Sequence, residues 1–186
     1  MSVYTTDITK TFSVSLEGKL IFGHNFKCGG TAIVHQIEKS FGKPRPYGYY
    51  DVHDSEFFKF CFVRNTFDRL VSVWADNCSR LWTDWSFKRF LFDQVAIEDV
   101  SRLWACQAEF AESFPWDFIG KFDQFADAWD YVATVCPGLP NVLPVEGASK
   151  HDHYSVYYDQ EDIDFVSEKF HREISMFTFS FNGSTQ

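Results

Sequence analysis

FGHNFKCGGTAI, residues 22–33, carries two adjacent glycines, a lysine two residues ahead of them and a threonine directly after. It falls where a short apolar run, KLIFGH (residues 19–24), gives way to a segment with helical spacing. Ile33, Val34, Ile37 and Phe41 recur at three- and four-residue steps, a stripe that packs on a sheet. The order is therefore strand, glycine turn, amphipathic helix. Backbone N–H groups at a helix N-terminus lack intrahelical partners and carry partial positive charge. Gly29 and Gly30 let the backbone approach a ligand with no Cβ in the way. Thr31 adds a hydroxyl and Lys27 a full charge, so the stretch is suited to an anion such as phosphate. A glycine pair can also be no more than a turn. The Walker pattern GxxxxGK[ST] is absent, and no lysine follows the glycines. That argues against a nucleoside triphosphatase gripping a β/γ-phosphate with magnesium.

Outward from this stretch the pattern repeats. FFKFCFV (residues 57–63) is short, aromatic and apolar on both faces, as a central parallel strand is. Asn65 or Thr66 can cap a following helix, whose apolar face is Phe67, Leu70, Val71 and Trp74. Arg64 then lies just past the C-terminal end of a buried strand, where open α/β sheets bind ligands. Ser72 follows near two turns along the helix. An arginine fork and a serine hydroxyl there suit a second, separate phosphate. The competing reading pairs Arg64 with Asp68 and leaves Arg69 solvated or bridged to an acid.

Two strand–loop–helix units in the first 75 residues indicate a parallel α/β sheet. Residues 75–116 read as mainly helical, residues 118–122 as a short strand, and residues 125–136 as a helix stopped by Pro137-Gly138. Pro44 and Pro46 place their segment in a loop. The last helix is marked by Ile163, Val166, Phe170, Ile174 and Phe177, with Asp159 or Glu161 at its start. The expected fold class is α/β: one domain over residues 1–186, P-loop-like, with three layers and a central, mostly parallel sheet flanked by helices.

Composition sets the limits on function. At 186 residues with 45% apolar and 19% aromatic residues, the chain can bury a sizeable single core. A net charge of −9 disfavours a broad footprint on nucleic acid, so positive charge for an anionic ligand must be local. No apolar run approaches the roughly 18 residues of a membrane span, and the N-terminal sequence does not resemble a secretory signal. Cys28, Cys61, Cys78, Cys106 and Cys136 form no CxxC pair and read as reduced thiols of a cytoplasmic protein. Cys28 is the one inside the glycine loop. His151 and His153 form an HxH with no further evident ligand, so no metal is expected. The tryptophans of the middle segment read as core or rim packing, or as a platform for a sugar.

Together the two segments resemble the nucleotide-binding motifs of sulfotransferases that use 3′-phosphoadenosine 5′-phosphosulfate (PAPS), in particular the carbohydrate-type branch of bacteria, viruses and Golgi enzymes. The family's first motif, roughly PKTGGTS, is FKCGGTA here (residues 26–32), and the second, roughly FVRNPxxRLVS, is FVRNTFDRLVS (residues 62–72). FIGKFDQF (residues 118–125) resembles its IGRFE segment, and the end of the chain, from Tyr157-Tyr158 to FTFSF, resembles its C-terminal pattern. The resemblance implies that Lys27, Cys28, Gly29, Gly30, Thr31 and, through its N–H, Ala32 hold the 5′-phosphosulfate. Arg64 and Ser72 would hold the 3′-phosphate, and the product would be 3′,5′-ADP. Lys27 would also offset charge growing on the leaving phosphate. Phe26, Thr66 and Ala32 depart from the pattern. Ala32 removes one hydroxyl, and a hydrogen bond to a charged group is worth about 1.5–3 kcal/mol.

Related enzymes use a histidine between the two motifs as general base. His35 falls on the first helix and reads as structural. His53, leading into the second strand, is the first choice, and His24, at the end of the first strand, is its rival. The partner is then a hydroxyl-bearing acceptor, a glycan or small molecule, with no nucleic acid and no membrane. The expected location is the cytoplasm of a bacterial or virus-infected cell. Two other readings stay open: a non-catalytic nucleotide-binding protein on the same fold, and a kinase-like phosphotransferase, against which the missing Walker lysine counts.

Overall fold

A computed structural model of the protein describes residues 12–46, 56–81, 84–96, 105–143 and 149–183. β1 (Phe12–Ser15) and β2 (Leu20–Gly23) form a hairpin. Helix α1 (Gly30–Phe41), the edge strand β3 (Arg45–Pro46), β4 (Phe58–Val63) and α2 (Thr66–Leu81) follow. Next come α3 (Phe87–Phe90), running into a π-helical turn at Leu91–Val95, and α4 (Gln107–Glu112). β5 (Phe118–Lys121), α5 (Phe125–Val135), α6 (Gln160–Lys169) and α7 (His171–Phe177) complete the chain.

The sheet has five strands in the order β3-β1-β2-β4-β5. β2, β4 and β5 run parallel, with Phe22 opposite Phe60 and Phe60 opposite Phe118. β1 is antiparallel to both β2 and β3. The expectation of a mostly parallel sheet thus holds for β2, β4 and β5, while β1 and β3 make the sheet as a whole mixed. The reason is local: only four residues separate Ser15 from Leu20, and so short a link can join only antiparallel strands. Pro46, expected in a loop, sits instead in the two-residue edge strand, where a missing N–H is tolerated.

Helices cover both faces. Alternate residues of the central strands, Phe22, Phe60 and Phe62, meet Ile33 and Ile37 of α1 and Trp129 and Val132 of α5. Full burial of each phenylalanine contributes about 1.5–3 kcal/mol relative to exposure. On the opposite face Val63 meets Ala111 of α4 and Phe177 of α7, while Phe12, Val14 and Ile21 pack with Phe114 and Trp116. α2 packs Phe67, Leu70 and Val71 against α3, Tyr154 and Val166 of α6.

The single C-terminal helix expected from the sequence is broken at Phe170, which closes α6 and opens α7 with φ −108° and ψ 21°. Phe170 is buried at the break. The bend lets α6 face α2 while α7 carries the buried Glu173 to a position beside Thr66. Asp159, as expected, caps α6, in a capping box with Asp162. Of the residues expected to be mainly helical between 75 and 116, those described include α3 and α4.

Candidate functional site

The site lies at the C-terminal ends of β2 and β4. Between β2 and α1 the chain turns at Asn25–Cys28, with Cys28 N–H donating to Asn25 O at 3.4 Å. Lys27 has φ 62°, a left-handed conformation that costs a non-glycine residue about 1–2 kcal/mol. Gly29 has φ 81° and ψ 8° and stands at the N-cap of α1. Among the described residues no side chain caps that helix, and its first turn holds no acidic residue. The N–H groups of that first turn, with their partial positive charge, suit an anion. Thr31 is exposed on the first turn, whereas the Ala32 methyl is buried, leaving only a backbone N–H to offer. Gly30 serves a purpose that sequence did not disclose: a Cβ there would lie 2.1 Å from the His24 ring. His24 packs into that space and stacks on Phe22 at 6.0 Å.

Arg64, just past β4, closes on the loop. Its Nη1 donates to the Lys27 carbonyl at 3.1 Å, and its guanidinium lies 4.6 Å from the Phe122 ring centroid. Its Nε donates to Asp68 Oδ2 at 2.7 Å, so the pairing weighed against a phosphate role is present. The Lys27 ammonium, on a side chain only 10% exposed, lies 3.6 Å from Asp76 Oδ1. Asp68, Ser72 and Asp76 fall at four-residue steps and so form one stripe on α2. Ser72, between the two carboxylates, shares a 2.8 Å hydrogen bond with Ser149. The structure thus brings Lys27, Gly29, Gly30, Thr31, Arg64 and Ser72 to one end of the sheet.

Burial pulls the Lys27 pKa below its ordinary value; Asp76 opposes this, and Arg64 and Arg80 add to it. Burial likewise lowers the His24 pKa and favours the neutral ring. The Cys28 thiol is pushed up to about 12 by burial and makes weak contacts with Phe26 O and Gln107 Oε1. With its N–H committed to the turn as well, Cys28 belongs to the wall of the core. The chain's five cysteines are all free thiols. His53 lies outside the described residues. His35 is exposed on α1. His151 and His153 bond to their own neighbours, Asp152 O and Ser155 Oγ. Trp74 and Trp129 donate to backbone carbonyls, of Trp85 and Pro140; Trp129 is buried in the core and Trp74 is half-buried at its edge.

Beneath the loop runs a buried polar network. Asn25, Gln107, Thr66, Arg69 and Glu173 are all buried. Arg69 Nη2 lies 3.5 Å from Glu173 Oε1 and donates to Ala105 O at 2.9 Å. Thr66 donates to Glu173 at 2.6 Å. Of the two caps considered for α2, Asn65 performs the role, accepting from Phe67 N–H at 3.1 Å. Sequence reasoning offered an acid for Arg69 but not which one, and it passed over Gln107 and Ser149. Gln107 sits in a six-residue helix too short for a periodic signal.

No curated protein and no solved structure matches the chain. A family model described as the sulfotransferase family matches residues 7–180. That match spans the glycine loop, Arg64, the stripe on α2 and Glu173, all the parts from which the site is built, and by it the chain belongs to the sulfotransferase family.

Proposed function

We propose that this sulfotransferase-family protein moves the sulfuryl group of PAPS to the hydroxyl of an acceptor, a glycan or a small molecule. The observation that supports it most is the 3.1 Å bond from Arg64 Nη1 to the Lys27 backbone carbonyl, which holds the arginine against the glycine loop. The donor set fits a nucleotide with two separate anionic ends. An uncapped helix N-terminus, the Thr31 hydroxyl and Lys27 suit the 5′ end. Arg64 and Ser72 suit the 3′-phosphate. Phe122, beside Gly29 and under Arg64, walls the space between them.

The donor supplies the sulfuryl group and a phosphate leaving group; in the transfer a bond forms from acceptor oxygen to sulfur as the sulfur–oxygen bond to phosphate breaks. The residues of the chain position and neutralise. Lys27 offsets the charge that grows on the phosphate oxygen. His53, the first choice from the sequence, or its rival His24, whose ring is held in the neutral form, accepts the acceptor's hydroxyl proton.

The test is thermal unfolding of the full chain with 3′,5′-ADP, compared with ATP plus magnesium. A ligand at 100 times its Kd adds about 2.7 kcal/mol. Stabilisation by 3′,5′-ADP supports the reading, and stabilisation by ATP alone overturns it. Turnover of labelled PAPS against glycans and small alcohols then separates an enzyme from a nucleotide-binding protein: tight binding with no transfer indicates the latter.

A further inference from the structure

We propose that Gln107 is a positioning residue that sets the spacing between the two anion half-sites by bonding to both at once. The inference rests on the nucleotide reading above and deepens it.

The Gln107 amide joins three parts of the chain. Its Oε1 accepts from Asn25 Nδ2 at 3.2 Å, in the turn that precedes Lys27. The same oxygen accepts from Arg64 N–H at 2.9 Å, at the end of β4. Its Nε2 donates to Arg64 O at 2.8 Å and to Glu173 Oε1 at 3.0 Å. Asn25 Nδ2 spends its other hydrogen on Phe62 O at 3.2 Å, so it too ties the loop to β4. The side-chain amide is oriented by these partners: turned over, it would set N–H against N–H at Arg64. Gln107 is itself held from behind, its backbone N–H donating to Glu173 Oε2 at 2.5 Å and Glu173 taking Thr66 and Arg69.

Gln107 is fully buried, so it cannot touch the nucleotide, and its action has to be indirect. What it fixes is where Arg64 stands relative to the glycine loop. A ligand with one anionic end gains little from that spacing. A ligand with two ends gains from it directly, because the second end then binds at a preset distance. A residue that only filled the core would affect all anions alike.

The experiment compares Gln107→Met, of similar length but without the amide, with the wild-type full chain. Calorimetry measures the Kd of 3′,5′-ADP, 5′-AMP and 3′-AMP for each. The expected result is a loss of about tenfold or more for 3′,5′-ADP with changes under about twofold for the two monophosphates. An equal loss for all three ligands, or no selective loss for 3′,5′-ADP, overturns the inference. If the methionine variant is unfolded by circular dichroism, Asn25→Ala is measured instead. It removes the Asn25 bonds to Gln107 and to Phe62 O and leaves the weak Cys28 contact and the bonds of Gln107 to Arg64 and Glu173. The two ties of Asn25 between loop and β4 are thus lost together, and the same selective loss is expected at smaller size. If the wild type binds none of the three, the nucleotide reading falls and the inference with it. If the wild type binds and the pattern is unselective, only the inference falls.

Discussion

The Lys27 ammonium lies 3.6 Å from Asp76 Oδ1, and the other Asp76 oxygen takes the Arg80 guanidinium at 3.0 Å. The lysine of the glycine loop is therefore tied to α2 through a carboxylate that it shares with a second cation. Burial lowers the Lys27 pKa, and Asp76 is the group that opposes the fall. Since Lys27 is below its ordinary value of 10.5, the unfolded chain binds more protons between the two values. This group's contribution to stability accordingly rises with pH through that window.

Asp76→Asn removes the opposing pull. The Lys27 pKa then drops further, and its charge is lost at a lower pH. The alkaline limb of kcat/KM, which reports groups of the free enzyme, is expected to move to lower pH in the variant. A pH–rate profile of wild type and variant checks it. An unmoved limb means that Asp76 does not tune Lys27. Lys27→Ala is expected to cost about 10²–10³ in kcat, the scale of a lost transition-state donor.

Under the proposed function Ser72 serves the 3′-phosphate alone, which makes it a test of the two ends separately. It sits between Asp68 and Asp76 on α2 and shares a hydrogen bond with Ser149 at 2.8 Å. Ser72→Ala is expected to weaken 3′,5′-ADP by about ten- to a hundredfold, the worth of a hydrogen bond to a charged group. The Kd of 5′-AMP is expected to stay put. Calorimetry on both ligands decides the matter, and an equal loss for 5′-AMP removes Ser72 from the 3′ side.

How much of this was legible follows from the range of each signal. β2, α1, β4 and α2 are written in short apolar runs and helical stripes. The bounds of β2, α1 and β4 and the start of α2 agree with the sequence to a residue or so, whereas α2 runs on to Leu81, past the last residue of its apolar stripe, Trp74. Lys27, Gly29, Gly30, Arg64 and Ser72 could be singled out because they flank those elements. β1 could not, since FSVS is four residues with no turn signal of its own beyond Gly18. The Arg69–Glu173 pair joins positions 69 and 173, and one sequence carries no signal for contact at that distance. The same holds for Gln107, whose partners lie at 25, 64 and 173. Gly30 was legible as special, but for anion approach; that it makes room for the His24 ring needs three dimensions.

Gly30→Ala tests that packing. The new Cβ would stand 2.1 Å from the His24 Cδ2 and Nε2 atoms, and the ring is backed by Phe22. Overpacking of this kind costs about 1–3 kcal/mol. Thermal unfolding is expected to show that loss, and the double variant Gly30→Ala, His24→Ala is expected to recover part of it. Losses that simply add would mean that the His24 ring does not fill the space, because residues in contact do not behave independently.

His24 carries the last prediction, which joins stability to rate. Burial lowers its pKa below the ordinary value of 6.5. Between the lowered value and 6.5 the unfolded chain binds more protons than the folded one, so stability falls as pH drops through this window and is unaffected above it. His24→Asn is expected to flatten that part of the stability curve, measured by urea unfolding at a series of pH values. A neutral ring beside the loop is also the form that accepts a proton, and it persists to lower pH than a free histidine would allow. The acid limb of kcat/KM is therefore expected below pH 6.5 and absent in the residual activity of His24→Asn. If His53→Asn removes the limb instead and His24→Asn leaves it, the base is His53, and the lowered pKa of His24 serves only its packing against Gly30.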